Sequence, residues 1–320
     1  MITQQLKYVL MLAEIKNFSI SAKKLYITQP ALSLYIMNLE EQLGAKLFDR
    51  SSSPIKLTSI GVEYVKTAQK ILDLESELNN KISDILETKQ GFISVGITTV
   101  QRSLFIEEAI IQYTQKNPFV KINIVEQEMI DLQDNVLNGV IDFFIGNYSV
   151  QNDQLVMDII GAELLFLAVP KNNSSNKGLE KYQVPLCEII DNKYTVRPSV
   201  DFSAFSNDPF ITLQPSQHVN TIIIDICKNA GFEPIIVLQT NKPDIAYSLV
   251  QRGLGSTIVS ETLIRRPDVK NHPNYYRLPE KFSLRNIILV HRKNRYISNI
   301  AEEFIDIYKN NLVYVKSKSE

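Results

Sequence analysis

From Gly61 to about Leu86 the sequence holds no proline and no further glycine. Nothing in that stretch breaks a helix. Ile71, Leu74 and Leu78, then Ile82 and Ile85, recur every three or four residues among charged neighbours. The spacing predicts one long helix with an apolar stripe suited to pairing with a second copy of the chain; packing on its own domain is the competing outcome. The helix divides the chain into residues 1–60, a linker at 61–90 and residues 91–320.

The first segment reads as short helices. Thr3 can cap one, in which Leu6, Val9, Leu10 and Ala13 form an apolar stripe. Ser19 can cap a second, through Leu25, before a tight turn at Tyr26-Ile27. Thr28 caps a third, with Pro30 in its first turn, Leu32, Ile36, Leu39 and Leu43 as its buried face, and Gly44 as its stop. Two helices about a tight turn, preceded by a third, outline a helix-turn-helix. The outward face of the last holds Gln29, Pro30, Ser33, Leu34, Met37 and Asn38, groups that can bond base edges or phosphates or touch thymine methyls. Periodicity alone fits a small helical bundle equally well. Residues 46–50 and 55–58 read as a β-hairpin about Ser51-Ser52-Ser53-Pro54. Arg50, Ser52 and Lys56 on this wing are candidate backbone contacts. The charge distribution agrees: residues 1–60 hold seven Lys or Arg against four acids, although the whole chain has a net charge of -1.

After Lys89-Gln90-Gly91 the period changes. Residues 92–97, 120–126 and 141–146 read as strands, with helices at 103–116 and 130–138 between them, implying a parallel sheet with right-handed crossovers. A strand at 164–169 leads to a second series: strands at 194–197, 210–213, 235–238 and 256–259, and helices at 219–229 and 243–252. The chain ends on strand 286–291 and helix 297–310. Two α/β lobes crossed twice suit a hinged binding module, with lobe I at 91–163 and 266–320 and lobe II at 164–265. Ligands bind such folds in the cleft, at strand C-termini and helix N-termini. On that geometry the candidates are Thr98, Thr99, Gln101, Arg102 and Ser103 after the first strand, Asn147 and Tyr148 after the third, Arg197 and Ser199, and Gln217 and His218. Arg102 and Arg197 suggest an anionic effector; a surface pair of Arg197 with Asp201 is the alternative. Gly253-Leu254-Gly255 lacks the third glycine of a nucleotide fingerprint and precedes a strand.

The run Phe18-Ser19…Ala22…Leu25…Thr28-Gln29-Pro30-Ala31-Leu32-Ser33…Ile36…Leu39-Glu40…Leu43-Gly44…Leu47-Phe48-Asp49-Arg50…Leu57-Thr58…Gly61 resembles the LysR-type transcriptional regulators. The order of the later elements is similar to the same family's effector domain, so the resemblance covers nearly the whole chain. It implies an α+β multidomain protein: a winged helix-turn-helix, a linker helix that dimerises, and a two-lobed effector domain resembling periplasmic binding proteins. It further implies dimers paired into a tetramer, double-stranded operator DNA, a small-molecule effector held partly by the loop after Thr98, and contact with RNA polymerase. The family commonly has Arg at the place of Leu34 and further Arg in the wing. Ser51-Ser52-Ser53 and Leu34 should therefore lower phosphate affinity and shift base preference here.

Other functions find little support. His218, His272 and His291 are far apart and form no HExxH or Cys/His metal pattern, so no metal or other cofactor is expected. No G-x-S-x-G elbow or P-loop is present, and Glu107-Glu108 and Glu302-Glu303 are helix neighbours that diverge, so no enzyme is expected. A solute-binding module without gene control is the rival; it is expected to need an export signal, and the N-terminus reads as none. No apolar run approaches a membrane span, and Cys187 and Cys227 are too few for a disulfide framework, which points to a reducing, cytoplasmic setting. The two cysteines read as small apolar residues, with a redox switch as the alternative.

Overall fold

A computed structural model describes residues 2–88, 90–98, 104–147, 152–191, 197–215, 218–266 and 271–312. The chain opens with α1 (Ile2–Ile15), α2 (Phe18–Lys24) and α3 (Gln29–Leu43), followed by the antiparallel pair β1 (Phe48–Asp49) and β2 (Lys56–Leu57). Asn17, not Ser19, caps α2: its Oδ1 accepts the Ile20 N–H at 3.0 Å. Capping two residues earlier turns Phe18 towards the head's core. Tyr26 takes a left-handed φ of 57°, which lets the chain reverse between α2 and α3. Thr28 caps α3 by accepting from Ala31 N, and Gly44 ends it at φ 64°. The core gathers Val9, Leu12, Ala22, Leu32, Ile36, Leu39, Leu47 and Phe48. Leu12 takes the core place expected of Leu10, which is half-buried, and Leu43, expected on the buried face of α3, is exposed.

The linker forms α4 (Ser59–Ile85), capped by Thr58, whose Oγ1 accepts from Gly61 N at 2.9 Å and donates to Lys46 O. A side chain on Gly61 would collide with the Leu47 carbonyl, so the wing and α4 abut here. Ala68, Asp73 and Asn80 are buried, whereas Ile71, Leu74, Leu78, Ile82 and Ile85 are 44–79% exposed. The helix thus keeps its most apolar stripe in water.

Lobe I follows: β3 (Gly91–Ile97), α5 (Leu104–Lys116), β4 (Val120–Glu126), α6 (Met129–Leu137) and β5 (Phe143–Gly146), with β3 parallel to both β4 and β5. Then comes β6 (Leu155–Val169), of which only the last six residues are predicted from sequence. Its first part carries the exposed Met157 and Ile159 and therefore lacks a clean apolar run. Lobe II comprises α7 (Leu186–Ile190), β7 (Pro209–Leu213), α8 (His218–Asn229), β8 (Ile235–Thr240), α9 (Pro243–Gln251), β9 (Thr257–Ser260), α10 (Glu261–Ile264) and β10 (Asn274–Arg277). The chain returns through α11 (Glu280–Ser283) and β11 (Leu284–Arg292) to α12 (Asn299–Asn311).

β6 serves both lobes. Residues 155–164 pair with β11, and residues 165–169 pair with β9 and β10. Tyr275, Tyr276 and Leu278 accordingly sit in the core of lobe II, where the order of elements predicts 266–320 in lobe I. The expectation fails there because β10 is four residues long and joins the far half of β6. Of the expected strand 194–197, residues 194–196 lie outside the described residues, and Arg197 is not in a strand. Lobe I buries apolar side chains on both faces of its sheet, against α5 and α12 on one side and α6 on the other.

Candidate nucleic-acid interface and inter-lobe cleft

On α3, Leu32, Ile36 and Leu39 face the core, while Gln29, Pro30, Leu34, Met37 and Asn38 are exposed and Ser33 is half-buried. Thr28 caps the first turn of this helix, and its far end meets the wing through Glu40. In the wing, Asp49 accepts from Ser51 N and Ser51 Oγ, bonds that hold its carboxyl below the usual range. Ser52 donates to Pro54 O, and exposed Lys56 pairs in register with Asp49. Arg50 is more engaged than a simple phosphate contact. Its guanidinium lies 3.2 Å from Glu40 Oε2 and 5.0 Å from the Phe18 ring centroid, with 38% of the side chain exposed.

The residue behind this arrangement is Glu40, which sequence reasoning passed over as a functional position. It is buried at the end of α3. Its Oε1 accepts from Leu47 N at 2.9 Å and Phe48 N at 3.1 Å, and its Oε2 meets Lys46 and Arg50, each at 3.2 Å. One carboxylate therefore fixes the wing against the outward helix. The sequence signal was available: Glu40 and Arg50 both belong to the motif run quoted above.

The second candidate site lies where the two lobes meet. Thr98 and Asn147 immediately follow the adjacent parallel strands β3 and β5, and Thr98 N donates to Ile145 O at 3.4 Å. Both are more than nine-tenths buried, and neither Thr98 Oγ1 nor Asn147 Oδ1 has a hydrogen-bond partner among the described residues. Asn147 Nδ2 donates to Glu163 Oε1 at 3.1 Å. The amide orientation follows from that contact, since a flipped amide would set oxygen against carboxylate. The unmatched atom is therefore an acceptor. Glu163 also accepts from Arg285 at 2.6 Å and from Thr262 Oγ1 at 2.9 Å. Glu261 accepts from Leu164 N at 3.1 Å, and burial pushes its carboxyl up to about 6. Sequence reading missed Glu163, Glu261, Thr262 and Arg285, because each reads as an isolated polar residue beside an apolar run.

In lobe II, Thr212 Oγ1 on β7, Asn220 Oδ1 in the first turn of α8 and Ser256 Oγ before β9 are likewise buried, without partners among the described residues. Arg197 bonds Glu188 at 2.7 and 3.2 Å, not Asp201, which instead accepts from Ser203 N. The Arg197–Glu188 hydrogen bonds hold the carboxyl low and the guanidinium high. Ser199 is exposed. Thr99, Gln101, Arg102, Ser103, Tyr148 and Gln217 lie outside the described residues; His218 begins α8. The anionic-effector expectation thus loses one of its two arginines to Glu188. Cys187 is exposed on α7, whereas Cys227 is buried in the lobe II core with its thiol pushed up to about 12; both are free. Among the described residues, no group of three or more His, Cys, Asp or Glu is placed to hold a metal ion, and no helix is long and apolar enough to cross a membrane.

Comparison with known proteins places both regions. Residues 3–62 match the model of the bacterial regulatory helix-turn-helix proteins of the lysR family, and residues 87–313 match the LysR substrate binding domain. The chain is 27% identical to the HTH-type transcriptional regulator YcgK of Bacillus subtilis, itself uncharacterised, over 96% of this chain and 94% of that one. It is also 27% identical to the transcriptional dual regulator GltC of the same organism, over 95% of each. Among solved structures, full-length CbnR, a LysR family transcriptional regulator, superposes with a TM-score of 0.65 at 21% identity, over 97% of this chain and 98% of that one. CbnR in complex with its target DNA gives 0.63 at 22% identity, over 97% and 99%.

Proposed function

The chain belongs to the lysR family of DNA-binding transcriptional regulators, and from that premise we propose that residues 1–60 read an operator, α4 joins two copies, and residues 91–320 sense a small molecule between the lobes. The observation that carries the reading is the exposed face of α3, held beside the wing by Glu40 and mounted on a helix with an unpartnered apolar stripe. In the proposal α3 enters the major groove, where Gln29, Ser33, Leu34 and Asn38 meet base edges, Thr28 and Pro30 start the helix against the backbone, and Arg50, Ser52 and Lys56 flank the phosphates. A dimer through α4 places two such faces on half-sites. Effector modules join dimers into a tetramer, and RNA polymerase reads the resulting DNA shape.

The effector meets Thr98 and Asn147. Asn147 Oδ1 favours a ligand that brings a hydrogen-bond donor, since a buried acceptor left unmatched is unfavourable by about 1–3 kcal/mol, and the Thr98 hydroxyl can donate or accept. The chain is a regulator and not an enzyme, in keeping with relatives that are regulators, and it works in the cytoplasm, where its DNA is. The test is gel retardation of the full-length protein on its own upstream DNA across a salt series. Site-preferring binding should weaken with salt, and Lys56→Ala should lower the log–log slope by about 0.9 if Lys56 contacts one phosphate. Binding no better than to competitor DNA at low salt, together with failure to enrich any site from random sequence, would remove the operator-reading proposal.

A further inference from the structure

From Thr28 to Leu39 the chain carries no charged side chain, although the first sixty residues hold an excess of Lys and Arg. Within that stretch Pro30, Leu34 and Met37 each stand two positions before a core residue: Leu32, Ile36 and Leu39. Two positions turn a helix by about 200°. The three therefore form a second apolar stripe, at i, i+4 and i+7, on the side away from the core. Leu34 is 54% exposed and Met37 38%, and Pro30 is exposed as well. Gln29 and Asn38, both exposed, border the stripe.

The cations that follow α3 into the wing are held elsewhere. Lys46 and Arg50 both meet Glu40 Oε2 at 3.2 Å, and Arg50 also lies over the Phe18 ring. A helix that enters a major groove with this face brings neither an ammonium nor a guanidinium to the base edges. Guanine O6 and N7, most often bonded by Arg or Lys, meet no cation on it. An A·T pair suits the face better. Adenine offers N7 and N6 to an Asn or Gln amide, and thymine offers its C5-methyl group to apolar contact. Leu34 and Asn38 are one turn apart, with about 5–6 Å between Cβ atoms. Successive base pairs are about 3.4 Å apart, so the two side chains can serve the same pair or neighbouring ones.

We propose that this protein distinguishes its half-sites by a thymine methyl group held against Leu34 and Met37, with the Asn38 amide on an adenine beside it. The proposal rests on the operator reading above and names the chemical group that decides between sites. The stripe on α3 is short and bordered by amides, whereas that on α4 is long and wholly aliphatic. It therefore matches a groove wall of methyl groups and base edges better than a second apolar helix. Burying a methyl group releases no counterions, so this discrimination should not depend on salt, although total affinity does.

The test begins with the full-length protein and selection of its preferred duplex from random sequence. Each thymine of that duplex is then replaced singly by deoxyuridine, which removes the methyl group and keeps every hydrogen-bonding edge. At least one replacement in each half-site should weaken binding by about fourfold, as expected for one methyl group left in water. The ratio of the two affinities should stay constant from about 50 to 200 mM salt while both affinities fall. Leu34→Ala, at an exposed position, should keep the fold and bind the thymine and uracil duplexes alike. If no replacement weakens binding, if the ratio collapses with salt, or if Leu34→Ala keeps the full ratio, the proposal is overturned and operator reading stands. If no duplex is enriched at all, both fall.

Discussion

Glu40 shows what a single residue does in the head. Its carboxylate replaces water for two backbone N–H groups that enter the wing, and it anchors two cations whose side chains remain 66% and 38% exposed. The buried amide bonds matter most, since partly exposed cations contribute weakly. Glu40→Ala leaves both N–H groups without an acceptor and should destabilise the head by about 2–4 kcal/mol. Glu40→Gln retains one acceptor oxygen and should have a smaller effect. Chemical denaturation of the full chain, alongside operator binding, measures both; an Ala variant with unchanged midpoint and affinity would remove Glu40 from this role. The residue scale is also where sequence reading was least complete. Thr28 and Gly44 announced their roles through residue type, because capping hydroxyls and left-handed glycines are local devices. Glu40, Asp73 and Glu163 gave no such notice. Each is a polar residue whose partners lie 6 to 222 positions away.

Among elements, α3 and α4 were legible because helical period survives burial on one side only. β6 and β10 were not. β6 changes neighbours midway, so its first part carries exposed apolar residues and its last part a continuous apolar run. β10 is two buried tyrosines between a partly buried Asn and Arg, too short for any period. The exposed stripe of α4 has its own consequence. If it is the contact between copies, Leu78→Glu places a charge in an apolar seam and should raise the dimer dissociation constant by at least about 100-fold, given the steep penalty for an unpaired buried charge. Sedimentation across a concentration series reads this directly. Helicity should hold, because Leu78 is 57% exposed within one chain. Unchanged sedimentation would return the stripe to solvent.

The lobe junction belongs to the whole molecule, because its bonds tie segments from both lobes. Glu261 is held there with its carboxyl near pH 6, above its ordinary value of 4.5, chiefly through burial. A raised carboxyl means that the folded chain resists ionisation. Stability is therefore fullest below about pH 4.5 and is lost as pH rises through 6, by about 2 kcal/mol for this one group. Glu261→Gln keeps an acceptor for Leu164 N and should abolish that pH dependence. Comparing the melting temperatures of the two chains between pH 4.5 and 7 tests it; parallel curves would refute it. The outline of two lobes was legible from the change of period, but the division between them was misplaced, because Tyr275 and Tyr276 join lobe II through β6. That strand has a consequence beyond packing. Everything between its end at Val169 and the start of β11 at Leu284 is one uninterrupted insertion, entered and left through two neighbouring antiparallel strands. One continuous segment therefore carries most of lobe II, while the DNA-binding head and the Thr98 and Asn147 side of the cleft belong to the rest of the chain.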